Sequence, residues 1–172
     1  MEPVFINKFK HTKENYIEMN KAYSFLTRMI FGLFFLIAYL ALAFFIYFYL
    51  YNLITAIIIA VIGVILAFYP AAKIRIIAHK REKKFLELYG EIPKGKTLFF
   101  EDHLFSVSET DKAELNLDYN KIIKVKQSKN MYLLILKNKL VVFVDKNSFE
   151  RGTCEEFEKF IKEKAVNAKI KL

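Results

Sequence analysis

The sequence predicts an α+β membrane protein: a two-helix transmembrane hairpin joined to a small antiparallel β domain that ends in a helix. Three observations predict it. No charged residue lies between Arg28 and Lys73. From Thr97 onward, apolar residues alternate with polar ones or run together in short blocks, the patterns of half-buried and fully buried strands. At Thr153 a helix-start signal opens a last segment with helical spacing.

The elements follow in order. Residues 1–28 read as an N-terminal strand and an amphipathic helix. Val4 to Phe9 has the strand pattern, and Thr12 can cap a helix over 13–28 by accepting a free N–H of its first turn. Residues 29–74 form the hairpin. One span needs about 20 apolar residues at 1.5 Å each, so the charge-free run fits two, at about 29–50 and 53–74. Tyr51-Asn52 is the polar break, and Asn is a usual turn residue. Unsatisfied backbone is costly in hydrocarbon, so both spans are expected to be helical. The run continues well past Ala41-Leu42-Ala43, longer than the ~7–15-residue core of a cleaved signal peptide.

Lysine and arginine fix the expected orientation. Lys8, Lys10, Lys13, Lys21 and Arg28 precede the run, the basic residues from Lys73 onward follow it, and the turn carries none. Both termini are therefore expected in the cytoplasm, in a multi-pass protein of the cell membrane. Tyr47, Phe48, Tyr49 and Tyr51 cluster where an outer aromatic belt belongs. Ala56, Ala60, Gly63, Ala67 and Ala71 place small side chains on one face of the second span, a face suited to close helix packing. Packing within the hairpin is the expectation, and homo-oligomerisation through that face is the alternative. No Asp, Glu, Lys, Arg or His lies between Met29 and Ala72, which argues against an ion pathway.

Residues 75–92 read as a basic juxtamembrane helix that prolongs the second span until Gly90 and Pro93 end it. Lys73, Arg75, Lys80, Arg81, Lys83 and Lys84 are the candidate lipid-surface contacts, since basic residues just cytoplasmic of a span attract anionic headgroups at roughly 1 kcal/mol each. Residues 93–172 form the β domain. Phe105 to Ser108 and Ala113 to Tyr119 alternate, Ile122–Val125 is a third strand, and Met131–Leu136 and Leu140–Val144 are continuously apolar, as strands covered on both faces are. Turns are expected at Asp102-His103, Asp111-Lys112, Ser128-Lys129-Asn130 and Lys137-Asn138-Lys139. Thr153-Cys154-Glu155-Glu156 fits a capping box, and Phe157, Phe160, Ile161 and Ala165 form an apolar helical stripe that must dock on the sheet. About six strands closed by one helix result.

The formal charge is +9. It falls mainly beside the spans, which points to a membrane surface, and no nucleic-acid motif is present. The lone Cys154 excludes an internal disulfide framework. No spacing of Cys and His suggests zinc, and neither a metal nor another cofactor is expected. Glu101-Asp102-His103 is the one acidic pair beside a histidine, and it reads as a solvated turn. His11 and His79 lack an informative nucleophile partner, and Cys154 reads as an idle thiol. No catalytic residue and no enzyme activity is expected.

Several short pieces together resemble the YcxB-like bacterial membrane proteins: Thr12-Lys13-Glu14-Asn15-Tyr16, Phe100-Glu101-Asp102-His103-Leu104, Leu117-Asp118-Tyr119-Asn120-Lys121-Ile122, and Phe143-Val144-Asp145-Lys146-Asn147-Ser148-Phe149. Where that family has a Pro-Lys pair after its last strand, this chain has Asp145-Lys146. The resemblance implies a pleckstrin-homology-like domain, a seven-stranded sheet bent on itself and plugged by the helix, with Val4–Phe9 as the seventh strand. The expected function is a membrane-anchored, cytoplasm-facing interaction module for a protein partner: a regulator, a scaffold or an immunity-type protein. The alternative is a sensor of anionic phospholipid through 73–84 with Lys94 and Lys96. An enzyme built on Glu101, Asp102 and His103, or on Cys154, is the remaining alternative.

Overall fold

A computed structural model describes residues 2–110, 112–138 and 140–172. In chain order the elements are β1 (Phe5–Lys10), α1 (Lys13–Leu50), α2 (Leu53–Tyr89), β2 (Lys94–Phe99), β3 (His103–Ser108), β4 (Glu114–Asp118), a 3-10 turn (Tyr119–Lys121), β5 (Ile122–Gln127), β6 (Met131–Leu136), β7 (Val141–Asp145), β8 (Phe149–Arg151), α3 (Cys154–Lys164) and β9 (Lys169–Lys171). They form two compact units. One is Ser24–His79; the other takes in the chain up to Tyr23 and from Lys80 onward.

The first unit is the helical hairpin. Its helices are strongly apolar, yet only 17% and 11% of their most apolar 18-residue stretches are buried. A core helix of a soluble protein would be mostly covered, so these apolar surfaces call for lipid. The protein thus carries two candidate membrane-spanning helices. From Met29 to Leu50 a helix rises about 33 Å, enough to cross the hydrocarbon layer. The connection is the two residues Tyr51 and Asn52: Tyr51 takes a positive φ of 47°, and the Asn52 side chain accepts the Thr55 N–H at 3.0 Å. Helix α2 continues through Pro70, and helix α1 is interrupted at Ser24, whose φ of −132° is not helical.

The second unit is the β domain. One sheet has the order β4-β3-β2-β1-β8 and the other β7-β6-β5-β9. Strand β1, which precedes the hairpin in sequence, lies antiparallel between β2, which follows it, and β8. The hairpin is therefore an insertion between two neighbouring strands of one sheet. Helix α3 carries the capping box the sequence predicts, with Thr153 Oγ1 accepting the Glu156 N–H at 3.3 Å and Glu156 Oε2 accepting the Thr153 N–H at 2.9 Å. Its Phe157, Phe160 and Ile161 enter a core with Phe5, Phe99, Tyr119 and Tyr132. Gly152 just ahead has a φ of +84°, and a side chain there would collide with the Phe5 ring.

Strand β6 is buried along its whole length, as its unbroken apolar run predicts. Tyr132, Leu134 and Leu136 face the main core, whereas Met131 and Leu133 face a second cluster with Phe9, Phe143, Met19 and Ala22. The start of α1 thus covers the outer face of β6 and β7. Two strands go beyond the predicted set. β8 and β9 have three residues each, too few to show a period. Because β9 runs parallel to β5, the domain is not a pure antiparallel meander. Asp111 and Lys139, in two of the predicted turns, lie outside the described residues.

Candidate functional site

The inner face of the five-stranded sheet changes character along its strands. Cross-strand register lines up three rows. The first is Phe5, Phe99, Leu104 and Leu117, all apolar and buried. The second is Asn7, Thr97, Ser106 and Leu115. The third is Phe9, Gly95 and Ser108, where the Phe9 ring occupies the space a side chain on Gly95 would need.

The polar second row is fully satisfied. Asn7 is completely buried. Its Nδ2 donates to the Asp145 carbonyl at 2.6 Å, and its Oδ1 accepts the Asp145 N–H at 3.0 Å. One side-chain amide thus imitates a backbone rung and ties β1 to β7. Thr97 and Ser106 share a hydroxyl hydrogen bond of 3.1 Å. An unpaired buried amide or hydroxyl would cost about 1–3 kcal/mol, so this pairing is what permits a polar row next to an apolar core.

Beyond that row the two sheets part around a groove of about 330 Å³. Ser106, Ser108 and residues 113–115 form one wall, residues 141–143 the other, and Phe9, His11, Arg81, Phe85 and Pro93 complete the lining. Consecutive residues from both β4 and β7 border it, so the strand edges face it, not one side of each strand. Both are terminal strands of their sheets among the described residues. The β1 side is an aromatic cluster, with the His11 ring 5.2 Å from Phe9 and 5.3 Å from Phe143, both edge-on. The α2 side is held in place by the first turns of α1: the Arg81 guanidinium lies 4.7 Å over the Tyr16 ring, and Glu82 accepts the Lys13 N–H at 3.0 Å. Thr12 caps α1 by accepting the Asn15 N–H at 3.1 Å.

Of the candidate sites read from the sequence, Arg81 alone lines the groove and the rest lie elsewhere. Lys73, Arg75, Lys80, Arg81, Lys83 and Lys84 are all exposed along α2. Lys73 stands 5.9 Å over the Tyr69 ring, and Lys83 faces Glu87 at 3.7 Å. Lys94 pairs with Glu91 at 2.7 Å and Lys96 with Glu150 at 3.1 Å. Lys8 joins the same Glu150 at 2.6 Å; hydrogen bonds from Lys8 and Lys96 hold that carboxyl below its ordinary range.

Of the small residues, Gly63 meets Tyr39 so closely that a side chain would clash. A side chain on Gly32 would lie 2.9 Å from the Ala67 carbonyl oxygen. Ala56 is buried with Ala43 and Ile46, and Ala60 packs on them. Ala71 is exposed.

Glu101 and Asp102 occupy an open turn between β2 and β3, and His103 opens β3. Glu101 pairs with Lys164, and Asp102 meets His103 Nδ1 at 2.7 Å with 69% of its side chain exposed. Tyr119 fastens the turn from beneath, its hydroxyl donating to the Phe100 carbonyl at 2.7 Å. Among the described residues no cluster of three metal-binding side chains occurs. The Cys154 thiol is half-buried and donates to the Lys146 carbonyl at 3.2 Å. Apart from Arg81, the groove residues escaped the sequence reading. Their signal was the phase of Leu104, Ser106 and Ser108, which puts serines on the inner face where apolar residues are the rule.

Residues 99–162 match the family model described as YcxB-like protein. The match runs from the end of β2 into the last turn of α3, and bears out the resemblance over that stretch. No curated protein matches the chain.

Proposed function

We propose that this chain, YcxB-like in its β domain, is a membrane-anchored interaction module without catalytic activity that holds an extended segment of a protein partner in the groove. The observation that carries this reading is that β4 and β7, each a terminal strand of its sheet among the described residues, border one groove, with the β7 edge engaged at Asp145 by Asn7. A free edge is a row of N–H and C=O groups that an added strand can satisfy. Side chains of alternating character would match this lining, with Phe9, Phe85 and Phe143 for apolar positions and Ser106, Ser108 and Glu114 for polar ones. The pair of sheets with a helix packed into their shared core supports a pleckstrin-homology-like fold. The basic flanks of the hairpin favour cytoplasmic termini in the cell membrane. The acid–histidine turn and the thiol are each engaged locally and do not converge, which supports a non-catalytic role.

The test is site-specific photocrosslinking in native membranes, with a photoreactive residue at Leu115 or Val141 and, as a control, at Lys162 on α3. A discrete protein adduct is expected from both groove positions at low and high salt, absent from the control, and lost when Ala113→Phe fills the groove. Adducts with lipid alone, formed only at low salt, would replace this reading with the phospholipid-sensor alternative.

A further inference from the structure

A second surface of the β domain stands apart from the groove. In the parallel pair of β5 and β9, Lys124 lies opposite Lys169 and Lys126 opposite Lys171, with Val125 and Ile170 between them. Val125 is fully buried and Ile170 packs on the core, so the four lysines share the opposite, outer face. Like charges directly across a strand pair are destabilising. Among the described residues none of the four makes an ion pair, whereas Lys8, Lys94 and Lys96 are all matched with glutamates. Burial, and then the charges of Lys124 and Lys171, lower the proton affinity of Lys126. A repulsive ladder without a counter-charge of its own is suited to an external anion.

The position of the ladder identifies that anion. Lys126 Nζ donates to the Ala22 carbonyl at 2.7 Å and to the Tyr23 carbonyl at 3.1 Å. Those carbonyls lie just ahead of the break at Ser24, where regular helical hydrogen bonding is interrupted. Met29, where the charge-free run begins, follows Tyr23 by six residues. Six residues reach at most about 22 Å even fully extended. The chain itself therefore tethers the ladder to the start of a membrane span, where phospholipid headgroups are the most abundant anions.

We infer that Lys124, Lys126, Lys169 and Lys171 form a contact face for anionic phospholipid headgroups, holding the β domain against the leaflet independently of the groove. The test uses the full chain in nanodiscs of phosphatidylcholine alone or mixed with phosphatidylglycerol, footprinted with an amine-reactive reagent and read by mass spectrometry. At low salt, labelling of Lys124, Lys169 and Lys171 should fall at least threefold when phosphatidylglycerol is present, and recover at high salt. Lys137 and Lys159, exposed elsewhere on the domain, should change far less. Equal labelling of the ladder in both discs would overturn the inference, as would uniform protection of every lysine. The wild-type chain serves throughout, so no misfolded variant can confuse the result.

Discussion

The two ends of the β domain are made from the same strands and differ in what fills them. At the end under α3, each strand of the five-stranded sheet contributes a large apolar side chain, and Phe157 meets Phe99 and Phe149 at centroid distances of 4.9 and 5.4 Å. Two residues further along β1, β2 and β3 the inner row is Asn7, Thr97 and Ser106, and two further still the sheets separate. One end closes by burying apolar surface; ahead of the open end the sheets are joined by hydrogen bonds of the polar row. A pair of sheets has no need of a uniform core if the polar row between them is satisfied. The open end can then present strand edges without unravelling the closed one.

The largest effect should come from breaking the closed end. Phe157 is fully buried, and Phe157→Ala should cost about 3–5 kcal/mol, the usual loss for an aromatic core truncation. Urea unfolding of the detergent-solubilised chain, followed by circular dichroism, would show it. A loss below about 1 kcal/mol would mean that α3 does not close the domain. The middle row comes next. Asn7→Ala strands both the N–H and the carbonyl of Asp145, so about 2–4 kcal/mol should be lost from two unsatisfied groups. Amide exchange should accelerate most in β7, the strand Asn7 ties to β1. Exchange that rises evenly over both sheets would sink the idea that this amide sets the groove wall.

A third way to sharpen the comparison is pH. Glu18, on the first turns of α1, accepts the Asn130 N–H at 2.7 Å, the Ser128 hydroxyl at 2.7 Å and the Asn130 side-chain amide at 2.9 Å. Burial opposes its charge, but those hydrogen bonds bring its carboxyl below the ordinary value of 4.5. A depressed folded-state pKa means that the unfolded chain binds the proton more tightly. The stabilisation is therefore fully present above the ordinary value and fades as pH falls through the lower, folded one. Glu18→Gln should cost about 1–2 kcal/mol at neutral pH by weakening charge-assisted bonds, and flatten the acid limb of the stability profile. An unchanged acid limb would show that Glu18 does not clamp α1 onto the β5–β6 turn.

Legibility in the sequence followed the range of the forces involved. The hairpin, its turn at Tyr51-Asn52, the capping box at Thr153 and the double burial of Met131–Leu136 each rest on neighbours in sequence, and each was readable. The pairing of β9 with β5 rests on residues more than forty positions apart, and Lys169-Ile170-Lys171 is too short and too basic to suggest a strand. The groove was hidden for another reason. In Phe105-Ser106-Val107-Ser108 alternation alone would turn the phenylalanine and valine inward, yet register with Thr97 and Gly95 turns the serines inward. Local pattern and tertiary placement disagree at the candidate site, which is where functional demands most often override foldability.

The smallest predicted effect separates two kinds of lysine and has the opposite sign to the rest. Lys96 faces Glu150, which keeps Lys8 as a second partner; Lys96→Gln should lower the melting temperature by no more than about 2 °C, as loss of an exposed ion pair does. Lys169 faces Lys124. Lys169→Gln removes a repulsion and should raise the melting temperature in neutral detergent by about 1–2 °C. Added salt screens exposed charges, so both differences should shrink as ionic strength rises. A fall in the melting temperature of Lys169→Gln would show that the lysine stabilises β9 through its stem packing, leaving the ladder no internal cost for a lipid surface to relieve.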